Sequence, residues 1–181
     1  MKTKTQKIVL VIVLAAIAAC IAYFTISNAI ENRRYEEQYS SAYTALFIAE
    51  KAEVVKLHEA IAQTIETPDD EHYAFALETA ENTEAVCMQT FGNSTDIVDT
   101  AGSRLNYYAT FYRDVKFALS ERLDPSELQP LNDLISEIIA LYNAPADPAA
   151  VNEKISALTA FHNSVYILLE DNREVLLNIY E

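Results

Sequence analysis

The chain carries three histidines, His58, His72 and His162, and two cysteines, Cys20 and Cys87, so metal and nucleophile chemistry are the first things to test. A zinc site needs His, Cys or carboxylate ligands converging to within about 2.3 Å of the ion. Helical spacing puts His58 well before the end of one helix and His72 at the start of the next. At 1.5 Å per residue the two differ in height by about 9 Å, too much to share a metal. His162 lies on an apolar stripe and reads as a hydrogen-bonded core residue. Asp69-Asp70-Glu71-His72 sits at a helix start, where acidic side chains act as caps. The Glu-x-x-His pattern of bundle metal enzymes is absent, as are Gly-x-Ser-x-Gly and glycine-rich phosphate loops. No catalytic residue, metal ligand or cofactor is therefore expected.

The aromatic residues say more. Tyr35, Tyr39 and Tyr43 recur every fourth residue and form a candidate partner surface. Tyr107, Tyr108, Phe111 and Tyr112 cluster as candidate ligand contacts, although bundle packing with hydroxyls at the rim explains both sets. Glu84 falls on the apolar stripe of its helix, and Arg104 lies at a similar height beyond the Gly92 turn. The two are expected to pair. Asn93-Ser94-Thr95 matches a glycosylation acceptor, but helix capping accounts for the same residues.

The elements that position these groups are helices. Only Gly92 and Gly102 are glycine among 181 residues, which leaves a β-rich fold short of permissive turn positions. From Ile8 to Ile26 the run IVLVIVLAAIAACIAYFTI bears no charge and, with its neighbours, reaches the roughly 20 residues that cross ~30 Å of hydrocarbon. Lys2, Lys4 and Lys7 precede it and all 27 acidic residues follow it. The positive-inside rule then places the N-terminus in the cytoplasm and the domain outside. Residues 1–7 read as a cytoplasmic tail, 8–29 as the span and 30–181 as an acidic extracytoplasmic bundle. Two processing readings compete with a retained anchor: lipidation at Cys20, within Ile17-Ala18-Ala19-Cys20, and signal cleavage at Ala16-x-Ala18. The apolar run continues past both sites.

Beyond the span, Tyr39, Tyr43, Leu46, Glu50, Val54, Leu57, Ile61 and Ile65 keep helical spacing without Pro or Gly before Pro68. One continuous helix from the membrane to about Thr67 follows. The second helix covers about Asp70 to Phe91 with Tyr73, Leu77, Ala80, Glu84, Cys87 and Phe91 on its stripe. The third carries Ile97, Ala101, Leu105, Tyr108, Tyr112, Val115 and Leu119 to about Arg122. Pro130 sets the next helix from there to Tyr142, with 124–129 as a turn. The last helix carries Val151, Ile155, Leu158, His162, Val165, Leu169, Asn172, Leu176 and Ile179, a heptad stripe that specifies left-handed packing. Short connections make successive helices antiparallel. The fold class is all-α: a transmembrane helix continuous with an up-down bundle of four to five helices.

The net charge of −14 disfavours nucleic acid and anionic lipid headgroups, both of which bind positive charge. In layout, a single span with an outside helical bundle resembles the outer portions of bacterial sensory receptors. Seven residues before the span cannot fold into an output domain, so a sensor of this layout would signal through a membrane partner. The expected function is a non-enzymatic scaffold or adaptor that contacts another membrane or envelope protein, or another copy of itself. The alternative is a ligand-binding or sensory module; an enzyme is the least supported class.

Overall fold

The computed structural model describes the backbone of residues 4–92, 102–142 and 150–180, and the side chains of 12–90, 110–142 and 150–179. The chain is all-α. Its elements are α1 (Lys4–Thr44), a π-helical segment (Ala45–Glu50), α2 (Lys51–Glu66), α3 (Asp70–Gly92), α4 (Gly102–Ser120), α5 (Pro125–Leu141), α6 (Val151–Asp171), α7 (Arg173–Leu177) and a 3-10 turn (Asn178–Tyr180). It divides into two compact units, Met1–Gln38 and Tyr39–Glu181.

The first unit holds the greater part of α1, its apolar run and the charged turns that follow it. Among the described residues it holds the one helix long and apolar enough to cross a membrane, near the N-terminus. Ile12, Ile17, Ile21, Phe24, Ile26 and Ile30 are each half exposed or more. The helical backbone then runs through Gln38 and Tyr39 without a break to Glu66. The expected plain α-helix is interrupted over Ala45–Glu50, where the pitch widens to π-helical and Lys51 N–H points to the carbonyls of both Ile48 and Leu46.

The second unit is a ring of five helices. α2 packs against α3 and α5, α3 against α4, and α6 against both α4 and α5. Chain direction alternates from helix to helix, as the short connections predict. The ring order does not follow the chain, however. α5 returns along α2, with Tyr142 at its end beside Glu50, and α6 completes the ring between α4 and α5. α4 and α6 are therefore parallel neighbours.

Local chemistry explains where the helices begin and end. Arg122, with φ 56°, takes the left-handed position usually given to glycine after α4. Leu123 N–H donates to Ala118 O at 3.1 Å and Arg122 N–H to Leu119 O at 3.3 Å, the paired bonds of a Schellman turn. The Arg122 guanidinium pairs with Asp70 and lies 5.9 Å from the Tyr73 ring centre, while Tyr73 Oη donates to Leu123 O at 2.6 Å. Burial first, then the Asp124 charge, raises the Tyr73 pKa.

Two boundary expectations need correction. The helix expected from Pro130 begins at Pro125, because Pro125 occupies the first turn and Glu127 reaches back to accept from Asp124 N–H at 2.9 Å. Pro130 then costs one intrahelical hydrogen bond in a helix already nucleated. The last stripe, expected on one helix, spans α6, α7 and the 3-10 turn. Asn172 breaks it by bonding its own side-chain Nδ2–H to Leu168 O at 2.9 Å. Leu158, His162, Val165, Leu169 and Ile179 are buried all the same.

On α3 the buried stripe is Tyr73, Ala76, Ala80, Thr83, Cys87 and Thr90, displaced from the one expected, with Leu77 and Glu84 at its edge. Threonine makes the difference. Thr79, Thr83 and Thr90 each donate to the carbonyl four residues earlier, at 2.8, 2.9 and 2.9 Å, and so present methyl groups to the core.

Candidate functional site

The most unusual chemistry of the second unit sits at the π-helical segment. Glu50 is fully buried on the core stripe between Leu46 and Val54. A buried carboxyl group is costly unless hydrogen-bonded. Tyr142, at the end of α5, donates its hydroxyl to Glu50 Oε1 at 2.8 Å. Cys87 on α3 is the second neighbour, its thiol lying beside Glu50 and Tyr112 of α4. Burial, and then the Glu50 charge, push the Cys87 thiol well above its ordinary range. A thiol held protonated is a poor nucleophile. Glu50, Cys87, Tyr112 and Tyr142 thus draw four elements of the ring into one polar contact, with the widened π turn carrying Glu50 inward.

An aromatic layer lies beside this contact. Tyr43 stacks on Phe47 at 4.7 Å, and Phe47 meets Phe161 edge-on at 5.6 Å and Tyr142 at 6.3 Å. Tyr142 and Phe161 are 4.4 Å apart, and Phe161 meets His162 at 5.8 Å. His162 is buried and donates Nδ1–H to Leu158 O at 2.8 Å. Burial lowers its pKa below the ordinary 6.5, opposed by the Leu158 bond. The neutral imidazole is the form this setting favours.

The residues singled out from the sequence fall in different places. Tyr35 is 56% exposed in the first unit, Tyr39 is half-buried, and Tyr43 is a core residue with Lys154 Nζ 5.8 Å from its ring. Tyr43 therefore has no ring face to offer a partner. Phe111 and Tyr112 are fully buried and pack edge-on at 5.2 Å. The side chains of Tyr107, Tyr108 and Arg104 lie outside the described residues, as do Asn93-Ser94-Thr95. Glu84 accepts from Lys116 Nζ at 2.8 Å, a half-buried pair between α3 and α4 that the sequence reading missed. Lys116 follows Tyr112 by one helical turn, which was the available signal.

His58 is half-buried. His72 bonds both its backbone N–H (2.9 Å) and its ring Nδ1 (2.7 Å) to Asp69 Oδ1, so it serves the start of α3. Those bonds lower the Asp69 pKa. Among the described residues no group of three His, Cys, Asp or Glu could hold a metal ion. Cys20 is exposed on α1.

Glu50 falls on the apolar stripe of the first helix, and the sequence alone does not mark it as a site. Its signal was plain: a carboxyl residue at a core position inside a hydrophobic 3-4 repeat. Tyr142 had no such signal, because its role depends on α5 returning along α2.

No family model, curated protein or solved structure matches this chain.

Proposed function

We propose that the protein is a membrane-anchored, non-enzymatic scaffold or adaptor whose helical domain lies outside the cytoplasm and contacts another membrane or envelope protein. The observation that carries this reading is the use made of the core's chemistry. Glu50, Cys87 and Tyr142 are engaged with one another inside the bundle, and the aromatic residues Phe111, Tyr112, Tyr43 and Phe161 fill space. A core of this kind holds a shape and leaves the outer surface to do the work. Lys2, Lys4 and Lys7 before the apolar run support an N-in orientation, through residues 8–29 as the span.

Crosslinking in native membranes, followed by identification of the captured chains, tests the reading. A reproducible membrane or envelope partner is expected; recovery of free monomer alone would defeat it. Orientation has its own test. Cysteine placed at exposed Ser136 should react with a membrane-impermeant maleimide in intact cells, because buried Cys87 gives little background. Protection of that cysteine until lysis would reverse the topology. Intact-mass measurement separates the retained anchor from the alternative anchor, a lipid on Cys20, since the lipidated form lacks residues 1–19.

A further inference from the structure

The geometry points to the outer groove between α2 and α3 as the docking site for a cationic amphipathic segment of the partner protein, an inference that rests on the adaptor reading. The groove is about 330 Å³ and lies on one antiparallel helix pair. Its floor is made of small residues, Ala60 from α2 and Thr79 from α3, both buried, with the Thr79 hydroxyl given to Phe75 O at 2.8 Å. Phe75 forms one wall and leaves 52% of its surface in water. An aromatic face beside a small-residue floor accepts an apolar side chain from outside.

The rim supplies the charge. Glu53 is already paired with Lys56 at 2.6 Å, so these two largely cancel. Glu59 on α2 and Glu78 on α3 are exposed, line the same groove from opposite helices, and form no ion pair among the described residues. Gln63 and Asn82 also line the groove, so its apolar part is the Phe75 face over Ala60 and the Thr79 methyl. Two unpaired carboxylates beside that face are complementary to Lys or Arg flanking a single apolar anchor. A second copy of this chain fits poorly, because its own surface is strongly acidic, with 27 Asp and Glu against 13 Lys and Arg. An anionic lipid surface is repelled for the same reason.

The test uses the full chain in its native membrane, with the photoreactive residue p-benzoylphenylalanine at position 75 and, for comparison, at exposed Ile167 on α6. Position 75 should give an adduct with another protein, and the crosslinked peptide should carry Lys or Arg beside apolar residues. The double variant Glu59→Lys/Glu78→Lys should lower that adduct about tenfold while circular dichroism stays unchanged, since like charges across an interface repel. Glu59→Gln/Glu78→Gln should give a smaller loss. An adduct from position 167 but none from 75 overturns the groove and leaves the adaptor reading standing. No adduct from either position overturns both. An adduct with a second copy, with an acidic peptide, or insensitive to the charge reversal overturns the cationic partner.

Discussion

The two compact units are built from the same kind of residue and treat it in opposite ways. In Met1–Gln38 the described isoleucines, Ile12 to Ile30, are exposed, and Ile17 is 50% exposed. In Tyr39–Glu181 the apolar residues of the continuing helix, Leu46, Val54, Leu57 and Ile61, are fully covered. Helix formation is common to both and explains neither. What differs is the source of cover: neighbouring helices in the second unit, and in the first a surroundings apolar enough to replace them, for which a lipid bilayer is the natural candidate. A helix with apolar residues all round asks for such a medium, whereas one with a stripe asks for partners.

Separating the units should give the largest effect. A fragment of residues 39–181 should stay in the aqueous phase of a Triton X-114 separation with a strongly helical spectrum, while the full chain enters the detergent phase. If the fragment follows the full chain, the second unit exposes more apolar surface than its burial implies.

Single truncations should then distinguish the units by their stability cost. Leu57→Ala removes a fully covered side chain and should lower unfolding stability by about 2–5 kcal/mol in a urea titration. Ile17→Ala should leave the unfolding midpoint of the bundle within error. Equal costs at the two positions would erase the difference between the two units.

Within the second unit, the polar contact can be tested against the apolar core around it. Tyr142→Phe keeps the ring but removes the hydroxyl that donates to Glu50 Oε1, at an expected cost of about 1–3 kcal/mol. Adding Glu50→Gln should restore part of that loss, because an amide is less costly than a carboxylate to bury short of a donor. A neutral Tyr142→Phe would mean that the bond contributes nothing to stability.

Acidification reports on His162 in the same currency. Its folded pKa lies below the unfolded value of about 6.5, so the unfolded chain takes up a proton first. Stability from this residue is complete above about pH 6.5 and is lost as pH falls from there toward the folded pKa. The limit is about 1.4 kcal/mol per pH unit. The difference between wild type and His162→Gln in thermal midpoints, measured from pH 7.5 to 5.0, isolates this from the relief of acidic self-repulsion. A pH-independent difference would place the imidazole in contact with water.

Within the second unit, the smallest effect is expected at Arg122. Glycine there would relieve a left-handed backbone worth about 1–2 kcal/mol. It would also remove an exposed ion pair of about 0–1 kcal/mol and a cation–π contact of about 0.5–1 kcal/mol. The opposing terms leave Arg122→Gly between a loss of about 1 kcal/mol and a gain of about 1.5 kcal/mol in a urea titration, and a larger loss would show that the turn depends on the Asp70 and Tyr73 contacts.

Much of this was legible beforehand, for local reasons. Charge-free length marks the apolar helix, and 3-4 spacing places Tyr43, Leu46, Val54, Leu57 and Ile61 in the core. What could not be read was of two kinds. Threonine on α3 counts as polar in a sequence and behaves as apolar once its hydroxyl is returned to the helix, so the buried stripe was misplaced. Pro130 signals a helix start unless the stronger cap at Asp124, Pro125 and Glu127 is given priority.

The sequence by itself determined the helices, the apolar N-terminal segment and most of the residues that had to be buried, because spacing, caps and hydrophobicity act within a few residues. The order of helices round the ring, the π turn and the meeting of Glu50 with Tyr142 and Cys87 were decided only by the tertiary structure. Those contacts join residues as many as 92 positions apart. Their free energy exists only once five helices have closed around one core, and no local window of the chain contains it.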